Sequence, residues 1–327
     1  MILDTFQQRG VKRFVFILSC ITVLFWQKIT VLHEVNSLPI IPVDTVFDLL
    51  AKTNTCLSAF AEISLLLICA YCFIIILSLY DILPGRKYLA AILFLCIVSV
   101  FTDAQTIAGS VCALIFQMFA FYNLFRTYHS AQIKSLIFTA AFFTGISIMF
   151  SFPFIIAVIN LIAGIWFFSV ITWRTIISMI LGLLAPFVFL LYFFQLAHHD
   201  ISLMLYAVEN NFNNLLWGLF DFDNFSAAFM GFVFAVTLLS MLKAGKYTKT
   251  IQRMINNMFY FLFVTSAILT VLVKSMQPYG IMLFGISAAY LLTRFSQLVK
   301  HKWIAEFIVF AILAATAAYS NWAFFFH

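Results

Sequence analysis

The chain of 327 residues is 65% hydrophobic and 9% charged, whereas soluble domains carry roughly 25% charged residues. It has no long polar segment, so the composition excludes a soluble domain of any size. A net charge of +6 would indicate nucleic acid binding in a soluble protein. In so apolar a chain it is typical of Lys and Arg on cytoplasmic loops. We predict a polytopic membrane protein whose partner is the lipid bilayer and which binds no nucleic acid.

Apolar runs separated by polar or basic breaks follow one another along the chain. A bilayer core requires about 20 apolar residues per helix. Residues 135–194, with Arg174 as their single charge, therefore hold three spans. The sequence predicts an all-α fold, a transmembrane bundle of about 11 helices in a single integral membrane domain, residues 1–327. The predicted helices are 14–31, 56–80, 88–101, 107–125, 135–152, 153–171, 176–196, 226–242, 258–273, 279–293 and 303–319.

The first apolar run, residues 14–31, follows the basic residues Arg9, Lys12 and Arg13. Signal peptides share this arrangement, but no small-x-small cleavage site follows the run. We therefore expect an uncleaved first helix whose N-terminus is cytoplasmic.

Proline and glycine mark the breaks between several predicted helices. Residues 81–87 are basic and contain a Pro-Gly pair, which is typical of a cytoplasmic turn. Pro153 is expected to open a new helix directly after the previous one, in a tight outer hairpin. Gly182 and Pro186 predict a kink in their helix. The periodicity of residues 201–216 predicts a helix along the membrane interface.

The distribution of basic residues predicts the orientation of the bundle. Eleven helices and a cytoplasmic N-terminus place the C-terminus in the periplasm. All but three of the 18 Lys and Arg residues then lie on cytoplasmic loops or at their edges. The exceptions are Lys28, Lys52 and Lys274.

Acidic residues toward the outer face are the candidate catalytic groups. Glu62 lies well inside the predicted helix 56–80, where acids are costly and are functional candidates by default. Asp44 and Asp48 are spaced i, i+4 in the first outer loop, so a short helix would place both on one face. Glu34 lies earlier in the same loop. We predict that these four acids act on substrate, as a base, as metal ligands or through a phosphate-bound metal.

Lys52, Lys28 and His33 lie beside these acids in the sequence and are the candidate contacts for a substrate phosphate. A different interpretation stays open for each group. Glu62 can be an acid that only fixes helix packing, and the loop residues can form an ordinary solvated surface.

The Cys69-x-x-Cys72 spacing is shared with redox and metal sites, but it lies in an apolar helix with no second ligand pair. We predict no metal site, because thiols in such spans pack as small hydrophobic groups. The chain contains no P-loop, no GxSxG and no GxGxxG, so nucleotide hydrolysis and serine-hydrolase chemistry find no support. No cofactor is identified.

Three motifs in the central block carry a family resemblance. They are Ser147-Ile-Met-Phe150-Ser-Phe152-Pro153, Thr172-Trp173-Arg174-Thr175 and Leu181-Gly182-Leu183-Leu184-Ala185-Pro186. With the helices around them, they resemble an uncharacterised family of multi-pass inner-membrane proteins from Bacteroidota-type Gram-negative bacteria, a domain of unknown function. The resemblance is best over residues 88–195 and implies a bacterial inner membrane. Its motifs are structural and bring no catalytic residues.

The leading functional hypothesis is a lipid-linked sugar transferase-like protein of envelope biogenesis. It would act at the periplasmic face on a polyprenyl-phosphate-linked substrate, by analogy of architecture. One alternative is a non-enzymatic scaffold or assembly subunit that packs against partner membrane proteins. A transporter is less favoured, because transporters usually consist of repeated halves and this chain shows no clear internal repeat.

The orientation can be tested with epitope tags. Tags at the N-terminus and within residues 243–253 should be cytoplasmic, and tags at Asp44 and His327 external, because basic residues are retained inside. Protease accessibility on intact spheroplasts measures this directly. A protected tag at Asp44 would overturn the predicted topology.

Overall fold

The computed structural model describes residues 55–101, 107–128, 130–150, 155–196, 224–243, 250–272, 277–299, 303 and 306–316. These residues form ten helices and no strand, which confirms the predicted all-α fold for this part of the chain. The helices are α1 (Thr55–Ser78), α2 (Lys87–Phe101), α3 (Ile107–Phe125), α4 (Ile133–Phe150), α5 (Ile156–Phe167), α6 (Trp173–Leu196), α7 (Asn224–Lys243), α8 (Thr250–Leu272), α9 (Gln277–Leu298) and α10 (Glu306–Thr316).

Ten of the predicted helices correspond to these ten in order, and α3 has the predicted bounds. The prediction was wrong for the end of α5, which lies at Phe167 instead of residue 171. It was also wrong for the start of α8, which begins at Thr250 instead of residue 258 because the helix continues through its polar first turns. The predicted helix 14–31, the hairpin at Pro153 and the interfacial segment 201–216 lie outside the described residues, so these remain predictions.

The break between α5 and α6 lies earlier than the sequence predicted. The turn occupies residues 168–172, and α6 begins at Trp173. α6 then continues through Pro186, which lies inside the helix. Because proline has no N–H, the carbonyl of Gly182 one turn earlier receives no helical hydrogen bond from it.

Four helical segments are long and apolar enough to cross a membrane, judged by length and composition. They are Ile133–Phe150, Trp173–Tyr192, Thr250–Val271 and Gly280–Leu298. These segments are compatible with an integral membrane protein. By contrast, α5 has 12 residues and is about 18 Å long, too short to cross about 30 Å of hydrocarbon alone.

Ring contacts show that α8 and α9 form an antiparallel pair. Phe259 stacks on Tyr290, with ring centroids 4.0 Å apart. Farther along α8, Phe263 lies 5.2 Å from Phe284, which comes earlier in α9. The start of α8 and the end of α9 therefore lie at the same end of the bundle.

α2 is also antiparallel to α9. Arg86, directly before α2, donates a hydrogen bond to the hydroxyl of Ser296 at 2.9 Å. Near the other end of α2, Val98 lies against Gly285. α2 and α8 therefore begin at the same end of the bundle.

The last residues of α3 and the first residues of α4 lie at this same end of the bundle. The Tyr80 hydroxyl, just after α1, donates to the Phe125 carbonyl at the end of α3, 3.2 Å away. Residues 126–132 then lead directly into α4. α4 runs antiparallel to α3, and Phe116 stacks on Phe150 with centroids 5.1 Å apart. We call this end of the bundle, with the turns 79–86 and 126–132, the basic end, and the opposite one the far end.

α9 forms the centre of the described bundle. Of its segment Gly280–Leu298, 89% of residues are buried, a larger share than in the other three long apolar segments. It packs against α8, α2, α7 and α3. The remaining helices pack outward from this group.

α4 and α6 form a parallel pair at the edge of the bundle, and α5 is the link between them. Near their starts, the Ser178 hydroxyl donates to the Lys134 carbonyl at 2.7 Å. Later in both helices, Gly145 packs against the backbone of Leu183. Residue numbers increase in the same direction along both helices, so α4 and α6 are parallel. Both therefore begin at the basic end.

The close approach of α4 and α6 depends on glycine. A Cβ placed on Gly182 would lie 2.5 Å from the carbonyl oxygen of Phe138 and 2.8 Å from the Cβ of Ala141. Small residues of this kind let helix backbones pack closely in membranes, where burial of apolar surface does not drive helices together. Gly182 is therefore a packing residue of this pair.

Gly182→Ala should destabilise the protein by about 1–3 kcal/mol, because the new methyl group collides with backbone. Gly231→Ala in α7 is the matched control, since a Cβ there meets nothing within 4 Å. At that position alanine should stabilise the helix by up to about 1 kcal/mol. Thermal unfolding of both variants in detergent measures the difference, and equal melting temperatures would contradict this packing role.

Candidate functional site

Most residues of the predicted catalytic site lie outside the described part of the chain. The predicted acids and phosphate contacts in this group are Glu34, Asp44, Asp48, Lys28, Lys52 and His33. Their roles remain predictions.

Glu62 is the predicted site residue whose backbone the structure describes. It lies in α1, seven residues after Thr55, where the helix begins, and so about 10 Å along the axis. Because α1 ends at the basic end, Glu62 lies in the half of α1 toward the far end. The chain enters α1 there directly after the predicted outer loop.

The basic end gathers the positive charge of the described bundle. It contains all seven Lys and Arg residues whose side chains the structure describes. They are Arg86, Lys87, Arg126, Lys134, Arg174, Arg253 and Arg294. The sequence predicted that most of these residues share one side of a membrane, and the helix directions bring the seven together.

Tyr80 ties two turns of the basic end together. Besides donating to Phe125, its ring lies edge-on to Tyr128 with centroids 6.3 Å apart. Burial raises the pKa of Tyr80, while nearby Arg126 lowers it and Tyr128 raises it further. Arg126 itself lies over the ring of Tyr122, 5.6 Å from its centroid. Tyr80 therefore serves as a neutral hydrogen-bond donor.

Arg86 fixes the first turn to the end of α9. Its guanidinium donates to both the hydroxyl and the carbonyl of Ser296. Gln297 in turn donates to the Pro84 carbonyl at 3.4 Å. These bonds give Arg86 a structural role.

A groove of about 800 Å³ opens between the starts of α4 and α6. It is lined by residues 131–135 before and within α4, by Ser169 and Val170, and by residues 172–175. Lys134 and Arg174 contribute one exposed cation from each side. Sequence reasoning treated Arg174 only as the charge of a turn and did not single out Lys134.

The start of α6 is held by a reciprocal capping arrangement between Thr172 and Thr175. The Thr172 hydroxyl accepts from the Thr175 N–H at 3.2 Å, and the Thr175 hydroxyl accepts from the Thr172 N–H at 2.8 Å. This is the geometry of a capping box with threonine in place of the usual Glu or Gln. It gives the Thr-x-x-Thr of the central motif a structural role.

The end of α5 adopts an unusual backbone conformation at the groove. Ser169 has φ of 53°, in the left-handed region that favours glycine after a helix. The Val170 N–H bonds the Ile165 carbonyl and the Ser169 N–H bonds that of Trp166, as in a Schellman motif. Together with the capping of α6, this motif makes the turn under the groove tight.

Polar side chains also lie inside the bundle. Tyr290 of α9 donates a hydrogen bond to the Asn256 side-chain oxygen of α8. Thr265 of α8 donates to the side-chain oxygen of Asn160 in α5, 3.1 Å away. All but Thr265 are fully buried, so these bonds join helices within the apolar interior.

Gln117 and Ser147 are fully buried, and their side chains have no hydrogen-bond partner among the described residues. Gln117 lies in the middle of α3. Unpaired buried polar groups cost about 1–3 kcal/mol each, and within a bilayer they mark functional candidates. Neither residue was predicted as functional from the sequence, because a lone Gln or Ser in an apolar run carries little signal.

The two cysteines of the Cys-x-x-Cys pattern are free thiols in α1. Cys69 is buried and Cys72 half-buried. Among the described residues, no group of three or more His, Cys, Asp or Glu side chains is placed to hold a metal ion.

The chain matches no family model, no curated protein and no solved structure.

Thr172→Ala should lower the stability of the protein by about 1 kcal/mol, because it removes the capping hydroxyl and leaves the Thr175 N–H only the Thr172 carbonyl as acceptor. Thr139→Ala is the control, since that exposed hydroxyl bonds only a carbonyl within its own helix. Thermal unfolding of the two variants in detergent compares them. A loss for Thr139→Ala as large as that for Thr172→Ala would contradict the capping role.

Proposed function

We propose that the chain is an integral protein of a bacterial inner membrane, with the basic end of the bundle in the cytoplasm and the C-terminus in the periplasm. One observation carries this orientation: the seven described Lys and Arg side chains belong to the basic end. Lys and Arg near helix ends are retained on the cytoplasmic side. The resemblance of residues 88–195 to the Bacteroidota-type family supports the same membrane.

We propose further that the protein takes part in envelope biogenesis as a lipid-linked sugar transferase-like enzyme, acting at the far, periplasmic end. Asp44, Asp48 and Glu34 supply the acids of the first outer loop, and Glu62 approaches from α1. Lys52, with Lys28 and His33, contacts the phosphate of a polyprenyl-phosphate-linked donor. The position of Glu62 in the outer half of α1 supports this arrangement, because that half of the helix directly follows the predicted outer loop.

In the transferase mechanism the acids and the cations have different tasks. An acid near the sugar acceptor removes a proton from the attacking hydroxyl as the glycosidic bond to the lipid phosphate breaks. The released phosphate gains negative charge, which a lysine beside it stabilises. Asp44 and Asp48, four residues apart, are suited to act together on one substrate.

Transport is the second candidate function, and buried polar groups favour it over a scaffold. A transporter needs polar groups near the bilayer midplane. Gln117 lies in the middle of α3 and Ser147 nearer the far end of α4, and neither side chain has a described partner. A scaffold that only packs against partner proteins needs neither these residues nor the outer acids. The three functions therefore depend on different residues.

Asp44→Asn and Asp48→Asn should each abolish complementation of a deletion strain without lowering the amount of membrane-inserted protein. Amides keep the size of the side chain but cannot accept a proton as a base. Asp103→Asn is the matched control, because it removes the same charge from another predicted outer loop. Full complementation by the Asp44, Asp48 double variant would exclude the enzyme. Loss of function only in Gln117→Leu would then favour transport.

A further inference from the structure

The groove between α4 and α6 carries positive charge that does not stabilise the helices bearing it. Lys134 lies in the first turn of α4 and Arg174 in the first turn of α6. The N-terminal end of a helix is already positive, so a cation there is unfavourable, whereas an acid would be favourable. Neither helix has an acid in its first turn. Helix stability therefore does not explain these two side chains.

In the described part of the chain, no acidic side chain compensates this charge at the groove. Three acids occur in the described part of the chain, Glu62, Asp81 and Glu306, and none of them lines the groove. Lys134 and Arg174 also differ from Arg86, whose guanidinium is used in packing. The groove thus presents two exposed cations with no described partner for either side chain.

The surroundings of the groove are those of a membrane–water boundary. Trp173 lines it and is 74% exposed, and tryptophan is enriched at the level of lipid headgroups. From there the outward face of α6 continues as an apolar surface through Ile180, Leu184 and Val188, all exposed. The segment in α6 is the least buried of the four long apolar segments, with 17% of its residues buried. A polar, cationic groove is therefore continuous with an exposed apolar helix face.

We propose that this groove binds the phosphate headgroup of an anionic membrane lipid, whose acyl chains lie along the exposed face of α6. Lys134 and Arg174 contact the phosphate oxygens from opposite sides. Arg is suited to bidentate contact with phosphate, and Lys to a point-charge contact. Ser135 and Gln132, which also line the groove, supply neutral donors. This site lies at the basic end, opposite the proposed catalytic residues, and does not depend on the transferase activity.

A lipid suits the groove better than a free phosphate ion because the site has two parts. The cations hold a phosphate whatever its source. Acyl chains hold a lipid in the membrane, at about 0.8 kcal/mol for each CH₂ group taken out of water, which is about fourfold in affinity, and so keep its phosphate at the level of the groove. A lipid also reaches a groove at the membrane surface by lateral diffusion.

The proposal can be tested on the full-length protein in phosphatidylcholine nanodiscs. Short-chain phosphatidic acid is titrated at physiological ionic strength, and bound lipid is counted by native mass spectrometry. Lys134→Gln with Arg174→Gln should weaken binding about 100-fold, or roughly tenfold for each charge-assisted contact. Lys87→Gln with Arg253→Gln is the matched control. It removes the same charge from the basic end but outside the groove, and should change binding less than about fivefold because exposed charges are screened.

A charge-preserving variant separates binding from folding. Lys134→Arg with Arg174→Lys should insert normally and keep most of the affinity. Equal losses of affinity in the groove pair and the control pair would overturn the site, because binding would then come from general attraction between charges. Binding of inorganic phosphate as tight as that of phosphatidic acid would overturn the lipid as its ligand. No measurable binding of phosphatidic acid by the wild type would overturn the proposal altogether.

Discussion

The burial of α9 is the constraint on which the rest of the bundle depends. Helices in a bilayer gain nothing from hiding apolar surface, because lipid is as apolar as their side chains, so they associate through close packing and hydrogen bonds. α9 provides both. Its Gly280 and Gly285 allow close contact with Thr270 and Val98, and Tyr290 bonds Asn256. Since α2 and α8 both pack antiparallel to α9, they begin at the same end, and the basic end follows from this packing.

Hydropathy predicted which parts of the described chain are helical, because each helix coincides with an apolar run. Hydropathy predicted the ends of the helices less accurately, and α8 shows why. The first two turns of α8 include Gln252, Arg253 and Asn256, which lower the mean hydropathy although they continue the helix. A pattern of apolar residues locates the part of a helix that can lie in lipid. The helix itself ends where its backbone hydrogen bonds end, as at the left-handed Ser169 after α5.

The groove could not be predicted from local sequence, although one of its residues was conspicuous. Arg174 stood out as the single charge in a long apolar stretch. Its significance depends on Lys134, which lies 40 residues earlier and reaches the groove only because α4 and α6 pack in parallel. That packing depends on Gly145 and Gly182. In the sequence, Gly145 is an ordinary small residue of an apolar run, and Gly182 is part of a predicted kink. The predicted catalytic site is a different case, because six of its seven residues lie outside the described chain.

The short length of α5 connects the packing of the bundle to its far end. α5 ends at the basic end and, being about 18 Å long, begins well short of the opposite membrane surface if the bundle spans about 30 Å of hydrocarbon. Its first N–H groups still require partners, and Ile155 at the N-cap supplies no side-chain bond. The start of α5 therefore needs water or other polar groups as partners. The far end is also the end toward which Glu62 is placed in α1, so two features of the described chain, the start of α5 and Glu62, require polar surroundings at that end.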